Sequence, residues 1–173
     1  MRRVVVFGTT GSGKSWLAER LAARHGLRVI ELDQLNWGPG WQPAPIELLR
    51  HRVERETRDG DWIVVGNYDS VRDLTWRAAD TLIWLDLPLS LVIRRLFWRT
   101  LRRSLTKENL WGTGNTESLF RSFFTRQSIL LYAMRTHSGN RRRFAVDTEF
   151  LGKDKTVVRL TSARDVERFL ATA

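Results

Sequence analysis

The stretch Gly8-Thr9-Thr10-Gly11-Ser12-Gly13-Lys14-Ser15 determines how the rest of the chain is interpreted. It matches the pattern G-x-x-x-x-G-K-[ST] and lies between an apolar run, Val4–Phe7, and a segment with helical spacing, Trp16–Ala23. Strand, glycine loop and helix in this order are typical of a phosphate-binding loop, where backbone N–H groups and a helix N-terminus surround an anion. A glycine-rich connection without a ligand is the alternative. The complete motif in this context favours binding of a nucleoside triphosphate.

Each position of the loop has a predicted role. The glycines allow the tight turn, Lys14 is expected to reach the β- and γ-phosphates, and the Ser15 hydroxyl is expected to ligate Mg²⁺. The residues predicted to contact the nucleotide are Gly8, Thr9, Thr10, Gly11, Ser12, Gly13, Lys14, Ser15 and Trp16. The guanine-reading N-K-x-D pattern is absent from the sequence. This absence favours adenine but does not decide between ATP and GTP, and the predicted cofactors are ATP and Mg²⁺.

Length and composition indicate one globular domain over residues 1–173, with 42% hydrophobic and 28% charged residues. The chain has no cysteine, which excludes a disulfide framework and a thiolate metal site. It has no signal-peptide segment and no apolar run long enough to span a bilayer, so we expect a cytoplasmic protein without a membrane partner. The net charge of +10 fits a polyanionic substrate, nucleic acid or a solvated arginine-rich surface.

A second strand, Leu27–Leu32, is predicted after the first helix and leads to Asp33. Strand, helix and strand over this length predict a βαβ unit with a parallel sheet, whose ligands bind at the carboxyl ends of the strands. Asp33 is therefore expected at the same edge as the phosphate loop. There it either holds Mg²⁺ through water or orients the attacking hydroxyl group of a second substrate. The alternative is an aspartate that only caps a turn.

A turn-rich segment with Trp37 and Trp41 follows, and then a polar helix is predicted from Pro45 to about Asp59. The two tryptophans form either an aromatic wall for a flat substrate or a cover for the underside of the loop. A third strand, Asp61–Val65, is predicted to end at Gly66-Asn67-Tyr68, where a glycine permits close approach of the backbone to a phosphate.

A fourth strand, Asp80–Leu85, precedes a helix rich in arginine. Within Leu89–Leu105 the arginines are predicted to share one helical face, opposite a core face. The arginines are Arg95, Arg99, Arg102 and Arg103, and the predicted core residues are Ile93, Phe97 and Leu101. Arg95 or Arg99 is expected to stabilise charge on a transferring phosphoryl group, and a solvated basic face is the alternative.

The remaining third of the chain is predicted to contain a lid, a long helix, a basic loop and a last strand with a terminal helix. Loop composition from Thr106 to Asn115 indicates the mobile lid. The predicted ranges of the other elements are the helix at about 117–137, the loop Arg141–Arg143, the strand Thr156–Leu160 and the helix that a capping box begins at Ser162–Asp165.

Further stretches of the chain are those of a known family: Leu32-Asp33, Trp37–Trp41, Trp62–Tyr68, Ala79–Pro88 and the arginine helix. Through them most of residues 1–135 resembles the bacterial adenylate-kinase-related P-loop proteins often labelled topology modulation protein (FlaR-like). The resemblance implies an α/β P-loop NTPase fold like that of nucleoside-monophosphate kinases. Such a fold has a five-stranded parallel sheet flanked by helices, a helical substrate-binding insertion at about 34–60 and a lid at about 99–117. It also implies that Asp33 lies at the substrate and the metal.

One position departs from the family. Relatives commonly carry an aspartate just before Gly-Asn-Tyr, and this chain has Val65 there. Mg²⁺ is therefore expected to depend on Ser15 and water, with Asp33 as a candidate ligand. The D-G-F-P-R stretch by which true adenylate kinases help to hold AMP is also absent, which indicates a different acceptor pocket.

The predicted function is that of an ATP-dependent phosphotransferase, a kinase acting on a small acceptor, with a nucleotide or nucleoside as candidates. The predicted catalytic residues are Lys14, Asp33, Arg95 and Arg99. The predicted acceptor contacts are Asp33, Trp37, Trp41, Gly66, Asn67 and Tyr68. Two alternatives remain: a nucleotide-regulated nucleic-acid-binding protein, for which no recognised motif is present, and an ATPase switch without a small acceptor. The sequence does not determine the oligomeric state.

Overall fold

The computed structural model describes residues 1–107, 109–110, 113–116 and 128–173. Over these residues, five parallel strands form a sheet in the order β2-β3-β1-β4-β5. The strands are β1 (Arg3–Gly8), β2 (Arg28–Glu31), β3 (Trp62–Val65), β4 (Thr81–Leu85) and β5 (Thr156–Leu160). The helices are α1 (Lys14–His25), α2 (Leu32–Asn36), α3 (Ile46–Thr57), α4 (Arg72–Ala78), α5 (Leu89–Thr106), α6 (Ile129–Leu151) and α7 (Ala163–Thr172). The predicted α/β fold with a five-stranded parallel sheet is confirmed.

The central strand β1 is buried on both faces of the sheet, as its continuous apolar sequence requires. Because side chains alternate along a strand, Val4 and Val6 pack with α1, α5 and α7, whereas Val5 and Phe7 pack with α3, α4 and α6. The strand order reverses beside β1, since β3 and β2 lie on one side of it and β4 and β5 on the other. The carboxyl end of β1, where the phosphate loop begins, is thus the point at which a ligand is expected in such a sheet.

The core face of α5 differs from the prediction. The buried residues of α5 are Val92, Leu96 and Thr100, whereas Phe97, a predicted core residue, is exposed. The helix crosses the phosphate loop, and a Cβ on Gly11 would lie 3.0 Å from Leu96 Cβ. This close contact between loop and helix determines which face of α5 is turned toward the core. The contact cannot be predicted from the sequence of the helix alone.

The C-terminal part of the chain, from residue 117 onward, also differs from the prediction. Residues 117–127, the first half of the predicted long helix, lie outside the described residues, and α6 extends from Ile129 to Leu151. Arg141–Arg143 are therefore helical and do not form a loop. The helix continues through them because Ala133, His137 and Phe144 keep one face buried, while Arg141 and Arg143 pair with Asp86 and Asp69.

The segment predicted as a lid is helical as far as Thr106, the last residue of α5. Beyond it, Leu110 and Asn115 form an isolated antiparallel bridge. The capping box of the terminal helix is confirmed, because the Ser162 side chain accepts a hydrogen bond from the backbone N–H of Asp165. Among the described residues, the helices are all too short or too polar to cross a membrane.

Candidate active site

The phosphate loop connects the buried centre of the sheet to the start of α1. Gly8, Gly11 and Gly13 have φ angles of +148°, +80° and +95°, which residues with a side chain rarely adopt. A Cβ on Gly8 would lie 2.6 Å from the carbonyl oxygen of Leu85, so β4 leaves no room for a side chain there. The Ser12 N–H donates to the Thr9 carbonyl at 3.1 Å. The loop thus packs directly against the end of β4, which holds it in place.

Lys14 is the first residue of α1, and its side chain folds back over the loop. Its Nζ donates to the carbonyl oxygens of Gly8, at 2.9 Å, and Thr9, at 3.1 Å. Burial lowers the pKa of Lys14 to about 8; Asp33 and Glu31 oppose this shift, and Arg99 adds to it. The ammonium group is therefore within electrostatic reach of two carboxylates and an arginine from other elements.

Of the four arginines predicted on one face of α5, Arg95 contacts the phosphate loop and Arg99 acts on Lys14 through its charge. Arg95 Nη1 donates to the Ser12 carbonyl at 2.8 Å, and the charge of Arg99 lowers the pKa of Lys14. Arg102 is exposed, whereas Arg103 is half-buried one turn beyond Arg99. Arg95 and Arg99 are one helical turn apart, so α5 presents both guanidinium groups on the side of the loop.

Asp33 lies in the first turn of α2, directly after β2, rather than at the end of a strand as predicted. Tyr68 Oη donates a hydrogen bond to Asp33 Oδ1 at 2.7 Å, and Asn36 Nδ2 donates to the same hydroxyl at 3.3 Å. The aspartate is half-buried and raises the pKa of Lys14. The structure thus places Asp33 and Tyr68, two predicted site residues, in direct contact beside the loop lysine.

Glu31 belongs to the site and was missed from the sequence. It is the last residue of β2, and the Ser15 hydroxyl stabilises its ionised form by hydrogen bonding, although burial raises its pKa overall. In the sheet Glu31 pairs with Val65, the position at which the resembling family commonly carries an acid. A signal was present in the sequence: Glu31 and Asp33 are two residues apart at the end of a predicted strand.

These residues fit Mg²⁺ held jointly with phosphate oxygens. The described part of the chain contains no group of three His, Cys, Asp or Glu side chains that could hold a metal ion by itself. Mg²⁺ in nucleotide sites is commonly bound through one or two carboxylates together with substrate phosphates and water. Ser15 and Glu31, with Asp33 nearby, supply oxygen donors of the right kind.

The side chain of Asn67 lies against the phosphate loop. Its Nδ2 donates to the Gly8 carbonyl, and the Gly8 N–H donates to its Oδ1 at 3.1 Å. The amide thereby continues the backbone pairing between β3 and β1 beyond the end of β3. The preceding Gly66 has φ +143°, and a Cβ there would lie 2.8 Å from Leu32 Cβ, so packing against α2 explains this glycine. Direct contact of Gly66 and Asn67 with an acceptor stays a prediction.

Trp37 and Trp41 contact each other edge to face, with ring centroids 5.9 Å apart. Asn115 holds the turn between them, because its Nδ2 donates to the Gly38 carbonyl at 2.9 Å and its Oδ1 accepts from the Trp41 N–H at 3.1 Å. Their contact with an acceptor is untested, as is that of Trp16 with a nucleotide. The Trp16 ring is exposed and lies 3.9 Å from the guanidinium of Arg20.

Comparison with solved structures places this arrangement among known folds. A sugar kinase from Janibacter sp. HTCC2649 matches with a TM-score of 0.53 at 20% identity, over 99% of this chain and 93% of that one. A gluconokinase from Sinorhizobium meliloti 1021 matches with a TM-score of 0.52 at 21% identity, over 99% and 92% of the two chains. Shikimate kinase from Bacteroides thetaiotaomicron matches with a TM-score of 0.53 at 13% identity, over 99% and 95%. The chain has the fold of the P-loop kinases.

The P-loop kinase fold is thereby established at the level of architecture. No protein-family model matches the sequence, and no curated protein matches it. The narrower resemblance to the FlaR-like family is therefore not confirmed. The site lies at the carboxyl ends of β1, β2 and β3, in the position that a P-loop kinase fold predicts for it.

Proposed function

We propose that the protein is an ATP-dependent kinase that transfers the γ-phosphoryl group to a hydroxyl group of a small molecule. One observation supports this proposal above the others: Asp33, a candidate base, follows β2 at the same edge of the sheet as the phosphate loop, and Tyr68 holds its carboxylate through a hydrogen bond of 2.7 Å. A carboxylate at this edge can take the proton of an attacking hydroxyl group, as a kinase acting on a small acceptor requires.

In the proposed reaction, the acceptor oxygen forms a bond to the γ-phosphorus as the bond from that phosphorus to the β–γ bridging oxygen breaks. The proton of the acceptor hydroxyl moves to Asp33, and ADP leaves with the electron pair of the broken bond. Lys14, Arg95 and Arg99 stabilise the negative charge on the transferring group and on ADP. Ser15 and Glu31 would hold Mg²⁺, which would supply neutralisation of charge on the β- and γ-phosphates.

The acceptor class is proposed from the fold neighbours and from the site together. The neighbours are described as a sugar kinase, a gluconokinase and a shikimate kinase. The acceptor side of this site contains Asp33 and the hydroxyl of Tyr68, next to Trp37 and Trp41. We therefore propose a hydroxylated small molecule as the acceptor, and nucleosides and nucleotides remain candidates within that class.

A panel of acceptors tests the proposal. ADP formation from MgATP is measured with sugars, sugar acids, shikimate, nucleosides and nucleotides, and each is also tested for thermal stabilisation in the presence of a non-hydrolysable ATP analogue. A true acceptor at about one hundred times its Kd adds about 2.7 kcal/mol of stability. At least one compound should accelerate ADP formation and appear as a phosphorylated product. ATP consumption that no compound accelerates would instead favour an ATPase switch.

Two substitutions separate binding from chemistry. Lys14→Ala should lower turnover by about two orders of magnitude or more, since it removes a cation from the transferring phosphoryl group. Asp33→Asn should lower turnover more than it weakens ATP binding, because the amide cannot take the proton of the acceptor. Turnover that Asp33→Asn leaves unchanged would reduce Asp33 to a structural role.

A further inference from the structure

The hydroxyl group of Tyr68 connects the residues that follow β3 to Asp33, the proposed base. Tyr68 follows β3, while Asp33 and Asn36 lie on α2, so the contacts join two elements that are distant in sequence. We propose that Tyr68 is a positioning residue for phosphoryl transfer, one that fixes the carboxylate of Asp33 so that Oδ2 faces the acceptor hydroxyl. This inference rests on the proposed kinase function.

The chemistry of the three groups sets the direction of both hydrogen bonds. An ionised carboxylate only accepts, so the Tyr68 hydroxyl must donate its single proton to Asp33 Oδ1, over 2.7 Å. The amide NH₂ of Asn36 only donates, so Tyr68 Oη accepts from it, over 3.3 Å. The proton of Tyr68 therefore has one destination, and the orientation of the hydroxyl is determined.

The consequence for Asp33 is a defined orientation. The terminal torsion of an aspartate is broad and roughly two-fold, so an unsupported carboxylate presents either oxygen. In the described part of the chain, Tyr68 engages Oδ1, and no hydrogen bond to Oδ2 is formed. Oδ2 is thus the oxygen left for the acceptor hydroxyl. A carboxylate that is already oriented loses less conformational entropy when the reactive geometry forms.

The surroundings keep Tyr68 as a hydrogen-bond donor. Burial, together with the charge of Asp33 and the hydrogen bond to it, raises the pKa of Tyr68 far above its ordinary value, and only partial compensation comes from Asn36 and Trp37. The ring is half-buried and packs on the cluster that contains Leu32, Val64 and Val71. Tyr68 therefore acts on Asp33 as a hydrogen-bond donor.

A double-mutant cycle distinguishes positioning from a general structural role. Tyr68→Phe keeps the ring and removes the hydroxyl, and it should lower kcat about tenfold, the effect of one hydrogen bond to a charged group. Because Tyr68 acts through Asp33, the same substitution in an Asp33→Asn background should change kcat less than about twofold. Tyr132→Phe, at an exposed tyrosine, is the matched control and should leave kcat unchanged. Equal effects of Tyr68→Phe in both backgrounds would overturn the proposal.

A second measurement is independent of catalysis. The chain contains two tyrosines, so protein labelled with ¹³C at Cζ of tyrosine gives two signals, which Tyr132→Phe assigns. Asp33→Asn should shift the Tyr68 signal and leave the Tyr132 signal in place, since only Tyr68 donates to Asp33. A Tyr68 signal that does not move overturns the inference even if transfer is observed. A shifted signal in a protein that phosphorylates none of the acceptors supports the contact and refutes the kinase function alone.

Discussion

At the scale of single residues, the site depends on two carboxylates placed around one lysine. Asp33 and Glu31 oppose the shift that burial imposes on the pKa of Lys14, and Glu31 also interacts with Ser15, the predicted Mg²⁺ ligand. Asp33 was predicted from its place after a strand, and Glu31 was not, because its spacing from Asp33 indicates a shared edge of the sheet but does not identify the side chain that it meets. Its partner Ser15 is known only once β2 lies beside β3 and α1.

The depressed pKa of Lys14 predicts how ATP binding depends on pH. With a pKa of about 8 in the free protein, the lysine loses its charge as the pH rises above that value. A bound triphosphate favours the charged form, so MgATP affinity should be level below about pH 7 and fall up to about tenfold by pH 9. Binding near pH 9 should take up close to one proton, as calorimetry in two buffers of different ionisation enthalpy measures.

The matched control for this prediction is Lys14→Arg. Arginine stays protonated over the whole range, so the affinity of that variant, although lower, should not depend on pH between about pH 7 and pH 9. A wild-type affinity that is equally level over the same range would contradict the assignment of Lys14 as the titrating group.

Glu31→Gln should separate stability from function. Folding raises the pKa of Glu31, so the ionised form is less stable in the folded protein than in the unfolded chain. The variant should therefore unfold at the same or a higher temperature near neutral pH. Because it also removes a proposed Mg²⁺ ligand, the Mg²⁺ concentration required for ADP formation should rise about tenfold or more. Glu19→Gln removes an exposed acid of α1 and should leave the Mg²⁺ requirement unchanged. An unchanged requirement in Glu31→Gln would remove Glu31 from the metal site.

At the scale of elements, two asparagine side chains join segments that the sequence separates. Asn67 joins the residues after β3 to the first glycine of the phosphate loop, and Asn115 joins the segment after α5 to the turn between Trp37 and Trp41. The periodicity that predicted the strands and α3 describes only the local chain. It contains no information on such contacts between elements, and for that reason it also missed the rotation of α5 over Gly11.

Asn115→Ala should weaken binding of the acceptor and leave binding of the nucleotide unchanged. The substitution removes the two hydrogen bonds that the Asn115 side chain makes to the turn in which Trp41 has a φ of +60°. Because that conformation is unfavourable without support, the Trp37–Trp41 pair should lose its defined position, with an acceptor KM raised about fivefold or more. The Kd for MgATP should stay within a factor of about two, since Asn115 contacts the Trp37–Trp41 turn.

Asn140→Ala provides the comparison for this variant. Asn140 lies on α6, where its side chain accepts a hydrogen bond from Arg143, and its loss should leave both constants unchanged. Equal weakening of acceptor and nucleotide in Asn115→Ala would show that the asparagine supports the whole site.

At the scale of the whole molecule, part of the positive charge is paired with acids of the same chain. Arg141 and Arg143, two members of the cluster that suggested nucleic acid, pair with Asp86 and Asp69. Arg72 lies between Asp69 and Asp147 and joins α4 to α6. The net charge of +10 was readable from the composition, but the pairing of Arg141, Arg143 and Asp147 was not, because their partners lie on distant elements. This pairing offsets part of the positive charge of the cluster on which the nucleic-acid alternative rested.

Asp86→Ala should destabilise the fold. Arg141 and Arg159 both pair with this carboxylate, whose side chain is 2% exposed, and so connect α6 and β5 to the end of β4. Both arginines are about half exposed, so water can hydrate them when the carboxylate is removed. The free energy of unfolding, measured in urea, should therefore fall by about 2 kcal/mol, which is less than for a fully buried pair. Asp61→Ala breaks an exposed ion pair with Arg2 and should change stability little. Equal effects of the two variants would contradict the prediction.

The register between β2 and β3 has a consequence for how an acid can be relocated within a sheet of this kind. Glu31 and Val65 are in-register neighbours on adjacent parallel strands, so their side chains project from the same face at a separation of about 5 Å. A carboxylate on either strand therefore faces the same side of the sheet, and the extra methylene of a glutamate lengthens its reach toward the neighbouring strand by one carbon–carbon bond. Sequence patterns that require the acid on the inner strand will not find a chain that carries it on the strand beside it.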